Sequence, residues 1–158
     1  MRFHYYRLLL EANEKNMKNC FKEGPISPAF IAESIAHHQV KTNIGAHQIF
    51  LGQVRKDRIG EKDVQAIEYS AHEEMANKEF HAIREEAFEK FDLTCMHIYH
   101  SIGTVQVGEI CLFVFVSSAH RKSAQVAIEF LVEAIKIRVP VFGKEVFADQ
   151  THVWKVNK

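Results

Sequence analysis

The most constraining stretch of the sequence is CLFVFVSSAHRKSAQ, residues 111–125. Its first six residues are all apolar. A strand with one solvated face alternates apolar and polar residues, so an unbroken apolar run predicts a strand that is covered on both faces. After two serines the pattern changes to that of a helix starting near His120. The stretch therefore predicts a central strand that leads directly into a helix.

The predicted helix starts with an unusual charge pattern, because His120, Arg121 and Lys122 all fall in its first turn. A helix N-terminus carries partial positive charge and favours anions over cations. A bound anion would reverse this unfavourable placement, since the backbone N–H groups and Arg121 could then bind it together. A phosphate is the natural candidate. The alternative is a solvated basic rim that binds nothing in particular.

Periodicity predicts the element order β-α-β-β-α-β-β-α-β, which is a single α+β domain with a mixed, mostly antiparallel sheet. The helices are expected at 28–38, 73–91 and 120–138, and the last should bury Ala124, Ala127 or Ile128, Leu131 and Ile135. Residues 55–63 are expected to form a surface loop, and Gly143 a turn. Residues 1–16 differ from the rest and are interpreted as an N-terminal extension, not necessarily native, ahead of a domain spanning 17–158.

Composition excludes several classes of protein. Lys and Arg total 20 and balance 20 Asp and Glu, so no global field favours nucleic acid or an anionic membrane. Three cysteines without a C-x-x-C spacing indicate a reducing compartment. Without an apolar segment long enough for a signal peptide or a membrane span, we predict a soluble, cytoplasmic protein. The ten histidines form no metal-ligand spacing, and none is assigned to a metal.

Two lysines are candidate catalytic groups. Lys136 and Lys144 lie on either side of Pro140, among apolar residues and other cations. Such surroundings lower the proton affinity of an amine, which can then act as acid, base or nucleophile. The alternative for Lys136 is a simpler one, in which its charge only stabilises the C-terminus of the helix.

Helix length limits how these groups can meet. Arg121 and Lys136 are 15 residues apart on broadly similar sides of one helix. They are therefore separated by about 22 Å along its axis, too far for one small ligand to contact both. Either the chain has two sites, or one site is assembled across a two-fold interface that brings opposite ends of two such helices together. We favour the second arrangement.

Three stretches together resemble a known family. They are GAHQIFLGQVRKDRIGEKDVQAIEY, HSIGTVQVGEICLFVFVSSAHRKSA and IKIRVPVFGKEVF followed by HVWK. Their G-x-V-R, S-A-H-R and K-x-R-x-P elements are similar to those of the large, catalytic subunit of molybdopterin synthase, in consistent order over about residues 17 to 156.

The resemblance implies an α/β hammerhead fold and a homodimer. A small ubiquitin-like sulfur-carrier protein with a C-terminal Gly-Gly thiocarboxylate would bind each end, giving a heterotetramer. The implied activity is sulfur transfer to cyclic pyranopterin monophosphate (precursor Z), which forms the molybdopterin dithiolene in molybdenum cofactor biosynthesis. No redox cofactor or metal is implied. Two other functions stay open: a non-catalytic dimer that binds an anion or a pterin phosphate, and a hydrolase using Lys136 or a cysteine.

The resemblance also implies site residues. Lys136 matches the catalytic lysine, and His120 and Arg121 match a pair that the neighbouring subunit contributes. The chain departs from the family's P-x-W-K-K/R-E pattern, because Gly143 stands at the second catalytic lysine and Lys144 follows it. Lys144 is the expected replacement if a turn at Gly143 swings it inward. The expected substrate-binding residues are Gln53, Val54, Arg55, His120, Arg121, Lys136, Gly143, Lys144 and Glu145.

Overall fold

The computed structural model describes residues 17–156, which form three helices and eight strands. The helices are α1 Pro28–Gln39, α2 Glu73–Lys90 and α3 Arg121–Arg138. The strands are β1 Phe21–Glu23, β2 Ala46–Gln53, β3 Arg58–Ile59, β4 Lys62–Ala71, β5 Cys95–Gln106, β6 Ile110–Ser118, β7 Val141–Phe147 and β8 His152–Trp154. The predicted extension at 1–16 lies outside the described residues, and the 17–158 boundary stays a prediction.

One sheet joins the strands in the order β2-β6-β5-β4-β7-β8. β1 adds to β5 in parallel, whereas the other pairings, including that of β3 with β4, are antiparallel. β5 holds the sheet together because its first half pairs with β6 and its last residues pair with β4. The predicted α+β class with a mixed, mostly antiparallel sheet is confirmed.

The apolar strand β6 lies between β2 and β5, and both of its faces are covered. Leu112, Val114 and Val116 point into the main core, which includes buried residues of α2 and α3. Phe113 and Phe115 point the other way, into a smaller core with residues from and next to α1. Two cores on opposite faces explain why the strand has no polar alternation, as the sequence predicts.

Helix α3 begins at Arg121, and its N-cap residue His120 makes no side-chain capping hydrogen bond. Its first turn has no acidic residue, so the unfavourable charge pattern predicted from the sequence is present. The predicted apolar stripe is confirmed, and the helix packs on β2, β6 and α2. Its C-terminal turn leads through Pro140 directly into β7.

Two local predictions need correction. The segment expected to be a loop, 55–63, contains β3, which forms a short hairpin with Lys62 and Asp63 at the start of β4. The turn expected at Gly143 is wrong, because Gly143 lies inside β7 opposite Tyr69 of β4. Pairing with β4 keeps this segment extended despite its glycine. In the described part of the chain, every helix is too short or too polar to cross a membrane.

Candidate active site

Two adjoining clefts open at the C-terminal end of α3. The first, which we call the inner cleft, has a volume of about 390 Å³ and is lined by Tyr69, His100, Lys136, Pro140, Gly143 and Lys155, among others. The second, the outer cleft, has a volume of about 940 Å³ and is lined by Arg55, Arg58, Lys136, Glu145, Trp154 and Lys155, among others. Lys136, Trp154 and Lys155 line both clefts.

Lys136 reaches this junction because α3 ends there. It lies in the last turn of the helix, where cations are favoured, and it is exposed while its neighbour Ile135 is buried. Pro140 prevents the helix from continuing, so the chain turns into β7 beside the inner cleft. The helix thus presents one amine at the boundary of two clefts. There the amine can donate a proton to a bound substrate or stabilise a bound anion.

Arg55 follows β2 on the wall of the outer cleft, and 81% of its side chain is exposed. Its Nε and Nη2 donate to the two carboxylate oxygens of Asp57 at 2.5 and 3.1 Å. This hydrogen-bonded carboxylate raises the pKa of Arg55 above its usual value. The guanidinium therefore donates two parallel hydrogen bonds to one carboxylate. A phosphate could accept the same two hydrogen bonds after displacing Asp57.

Glu145 of β7 is buried on the outer cleft, although it is acidic. Lys155 Nζ donates to its Oε1 at 3.2 Å, which supplies the charged partner that a buried carboxylate needs. The sequence predicts Glu145 as a site residue, whereas it does not predict Lys155. The position of Lys155 depends on which strand the final segment pairs with, and a sequence does not reveal that pairing.

His100 and Tyr69 lie deeper, in the inner cleft. Burial, together with the nearby charge of Lys136, lowers the pKa of His100 to about 4, although its backbone hydrogen bond acts in the opposite direction. Its Nδ1 lies 2.8 Å from the Ser101 carbonyl, which can only accept, so Nδ1 carries the proton and Nε2 is left as an acceptor. Burial also raises the pKa of Tyr69, so both groups are neutral near neutral pH.

His120 and Arg121 lie at the opposite end of α3 and line neither of these clefts. Both are exposed. The helix between them and Lys136 is continuous, so one chain cannot bring them to the same ligand. The structure thus confirms the separation on which the predicted two-chain site depends, while the contact between chains stays a prediction.

The remaining predicted residues divide between the clefts and their surroundings. Val54 is buried and Gln53 is exposed, next to Arg55 at the end of β2. Gly143 lines the inner cleft but offers no side chain. Lys144 lines neither cleft: its Nζ lies 3.8 Å from Glu68 and 5.2 Å from the centre of the Trp154 ring. Among residues 17–156, no three His, Cys, Asp or Glu side chains are placed to hold a metal ion.

Comparison with known proteins identifies the family of this chain. The family model described as "MoaE protein" matches residues 21–138. The molybdopterin synthase catalytic subunit of Pyrococcus abyssi is 41% identical over 113 residues, which cover 72% of this chain and 75% of that protein. The catalytic subunit of Bos taurus is 34% identical over 114 residues, and these cover 72% of this chain but only 60% of the bovine protein.

Solved structures give the same result. Molybdopterin synthase from Staphylococcus aureus superposes with a TM-score of 0.77 at 33% identity, covering 90% of this chain and 100% of that one. A chain from the complex of subunits 1 and 2 of molybdopterin-converting factor from Helicobacter pylori has a TM-score of 0.74, covering 87% and 90%; at 18% identity it supports the fold alone. The chain therefore belongs to the MoaE family, the family of the molybdopterin synthase catalytic subunits.

Proposed function

We propose that this chain is the catalytic subunit of a molybdopterin synthase that transfers sulfur from a thiocarboxylated carrier protein to cyclic pyranopterin monophosphate. Membership of the family establishes a role in molybdenum cofactor biosynthesis. The observation that carries the reaction itself is the position of Lys136, an exposed amine where two clefts meet, with Arg55 on the wall of one of them.

Some of the proposed site residues bind the substrate, and others take part in the reaction. Arg55 exchanges Asp57 for the substrate phosphate, because both offer paired oxygens to the guanidinium. His120 and Arg121 of a second copy complete the phosphate site, with the N-terminus of its α3 supplying backbone N–H groups. Gln53, Val54, Gly143, Lys144 and Glu145 stay in the proposed binding set.

Each sulfur transfer balances without a redox partner. The carrier's thiocarboxylate sulfur forms a bond to a side-chain carbon of the pterin while the bond from that carbon to oxygen breaks. Lys136 donates a proton to the departing oxygen. Water then attacks the acyl carbon and breaks its bond to sulfur, so that the carrier leaves as a carboxylate and the thiolate stays on the substrate. A second carrier repeats the sequence at the adjacent carbon, and loss of water between the two sulfur-bearing carbons then forms the double bond of the dithiolene.

An apolar rim suits the docking of a carrier protein beside the clefts. Ile137, Phe142 and Trp154 line the inner cleft with 79%, 54% and 57% of their surfaces exposed. A cluster of exposed, large apolar side chains is typical of a surface that contacts another protein. We place the carrier body on this rim and its C-terminal tail in the clefts, in a heterotetramer of two catalytic chains and two carriers.

The test is to mix the chain with a carrier ending in a thiocarboxylate and with cyclic pyranopterin monophosphate, and to follow the pterin by mass spectrometry. We expect a product with two sulfur atoms, and none when the carrier ends in an ordinary carboxylate. Lys136→Ala should lower the single-turnover rate at least about 10²-fold without changing the melting temperature. Lys78→Ala, which removes an exposed lysine on α2, is the matched control.

The competing function is a dimer that binds a pterin phosphate without chemistry, which the glycine at position 143 suggests. A folded chain that binds the pterin tightly but forms no sulfur-containing product would refute the enzymatic proposal in favour of this one. A Lys136→Ala variant that transfers sulfur at the rate of the unaltered chain would remove Lys136 from its proposed role.

A further inference from the structure

The strand register around Gly143 indicates which side chain can replace the second lysine of the family's pattern. Gly143 stands where the family's pattern has that lysine, and it lies in β7 with no side chain of its own. Lys144 lines neither cleft and contacts Glu68 and Trp154. Since successive residues of a strand point to opposite faces, Lys144 cannot take the position of a side chain at 143 while β7 stays paired.

The space that a side chain at 143 would enter adjoins Lys155, which directly follows β8. The Lys155 backbone N–H donates to the Gly143 carbonyl at 2.8 Å, which places the two residues side by side. A Cβ built on Gly143 would lie 3.6 Å from the Cβ of Lys155 and 3.0 Å from Cγ2 of Ile67. The Lys155 side chain therefore starts next to the point where a lysine at 143 would start.

Lys155 also extends into the region where a second catalytic amine is needed. It lines both clefts, as Lys136 does. Its Nζ lies 3.2 Å from Oε1 of Glu145, whose side chain is only 9% exposed, while the Lys155 side chain is 30% exposed. The buried carboxylate thus fixes the direction of an amine that solvent and substrate can still reach.

We infer that Lys155, rather than Lys144, supplies the second catalytic amine of this enzyme, and that Glu145 holds it in place. The inference rests on the proposed sulfur transfer. As the carrier's sulfur bonds to carbon and the carbon–oxygen bond breaks, one amine protonates the departing oxygen in each transfer and regains its proton from solvent. Two transfers at adjacent carbons make use of two amines at the shared boundary of the clefts.

The test is the single-turnover rate of dithiolene formation with the thiocarboxylated carrier and cyclic pyranopterin monophosphate. We expect Lys155→Ala to lower this rate by about 10²-fold while the dissociation constant of the pterin changes by less than about threefold. Lys78→Ala should react at the rate of the unaltered chain. Melting temperatures establish that each variant is folded.

Two further variants separate proton donation from a structural ion pair. Lys155→Arg keeps the charge facing Glu145, but a guanidinium does not release its proton, so its rate should stay at least about tenfold low. Gly143→Lys combined with Lys155→Ala returns an amine to the family's position and should recover at least about tenfold over Lys155→Ala alone. Ile67 must shift by a few tenths of an ångström to admit the new side chain.

Three results would overturn the role of Lys155 and leave the proposed function intact. They are a Lys155→Ala rate within about threefold of the unaltered chain, full activity of Lys155→Arg, and a larger loss in Lys144→Ala than in Lys155→Ala. A complete absence of dithiolene from the unaltered chain would instead refute the proposed function, and this inference with it. If the double variant does not fold, the comparison of Lys155→Ala with Lys155→Arg decides.

Discussion

His100 should make this fold sensitive to mild acid. Its side chain is almost fully buried in the inner cleft, between the rings of Phe21 and Tyr69. Burial is the largest cause that lowers its pKa from 6.5 to about 4, because the charged imidazolium would lose its hydration there. Below about pH 6.5 the unfolded chain takes up a proton at His100 that the folded chain refuses until about pH 4. Stability is therefore lost as the pH falls through this window.

The size of the effect follows from the two pKa values. A difference from 6.5 to about 4 corresponds to about 3 kcal/mol of unfolding free energy once the window is fully crossed. Between pH 7 and pH 5, where carboxylates still contribute little, the expected loss from His100 is about 2 kcal/mol. His97, whose pKa is also lowered to about 4, mainly by burial, acts in the same direction.

The measurement is urea denaturation at pH 7 and pH 5 for the unaltered chain and for His100→Gln. Glutamine does not titrate here, and its amide can still donate to the Ser101 carbonyl that His100 contacts at 2.8 Å. The variant is expected to be less stable at pH 7 but to lose about 2 kcal/mol less on going to pH 5. Equal losses in the two proteins would show that His100 does not resist protonation, and the reasoning would fail.

Three further predictions test the shared site and the fold. Arg121→Ala and Lys136→Ala homodimers should both be inactive. When the two variants are mixed and their subunits re-equilibrate, half of the dimers contain one chain of each kind and therefore one intact site of two, so roughly a quarter of the normal rate should return. No recovery would show that one chain supplies both residues to a site. Gly45→Ala should lower the free energy of unfolding in urea by about 2 kcal/mol or more, since its Cβ would overlap the Ala119 carbonyl oxygen. Phe113→Ala, which empties a fully buried position on β6, should cost about 4 kcal/mol in the same assay.

Local patterns in the sequence were sufficient for the main elements. The apolar run at 111–116 predicts a strand covered on both faces, and the apolar spacing in 120–138 predicts a helix packed on one side; the structure has both. Residues next to such elements were placed with them. The sequence therefore places Arg55 just after β2 and Lys136 at the end of α3 without any tertiary contact.

Pairings between distant segments were decided only in the tertiary structure. Glycine and lysine after a proline suggested a turn at 143, but β4 and the Lys155 N–H hold this segment extended from both sides. Local propensity is weak compared with the hydrogen bonds of two neighbouring strands. The same register brings Lys155 beside Gly143 and Glu145. These residues become neighbours only because of the way two strands pair, and a local sequence pattern does not determine that pairing.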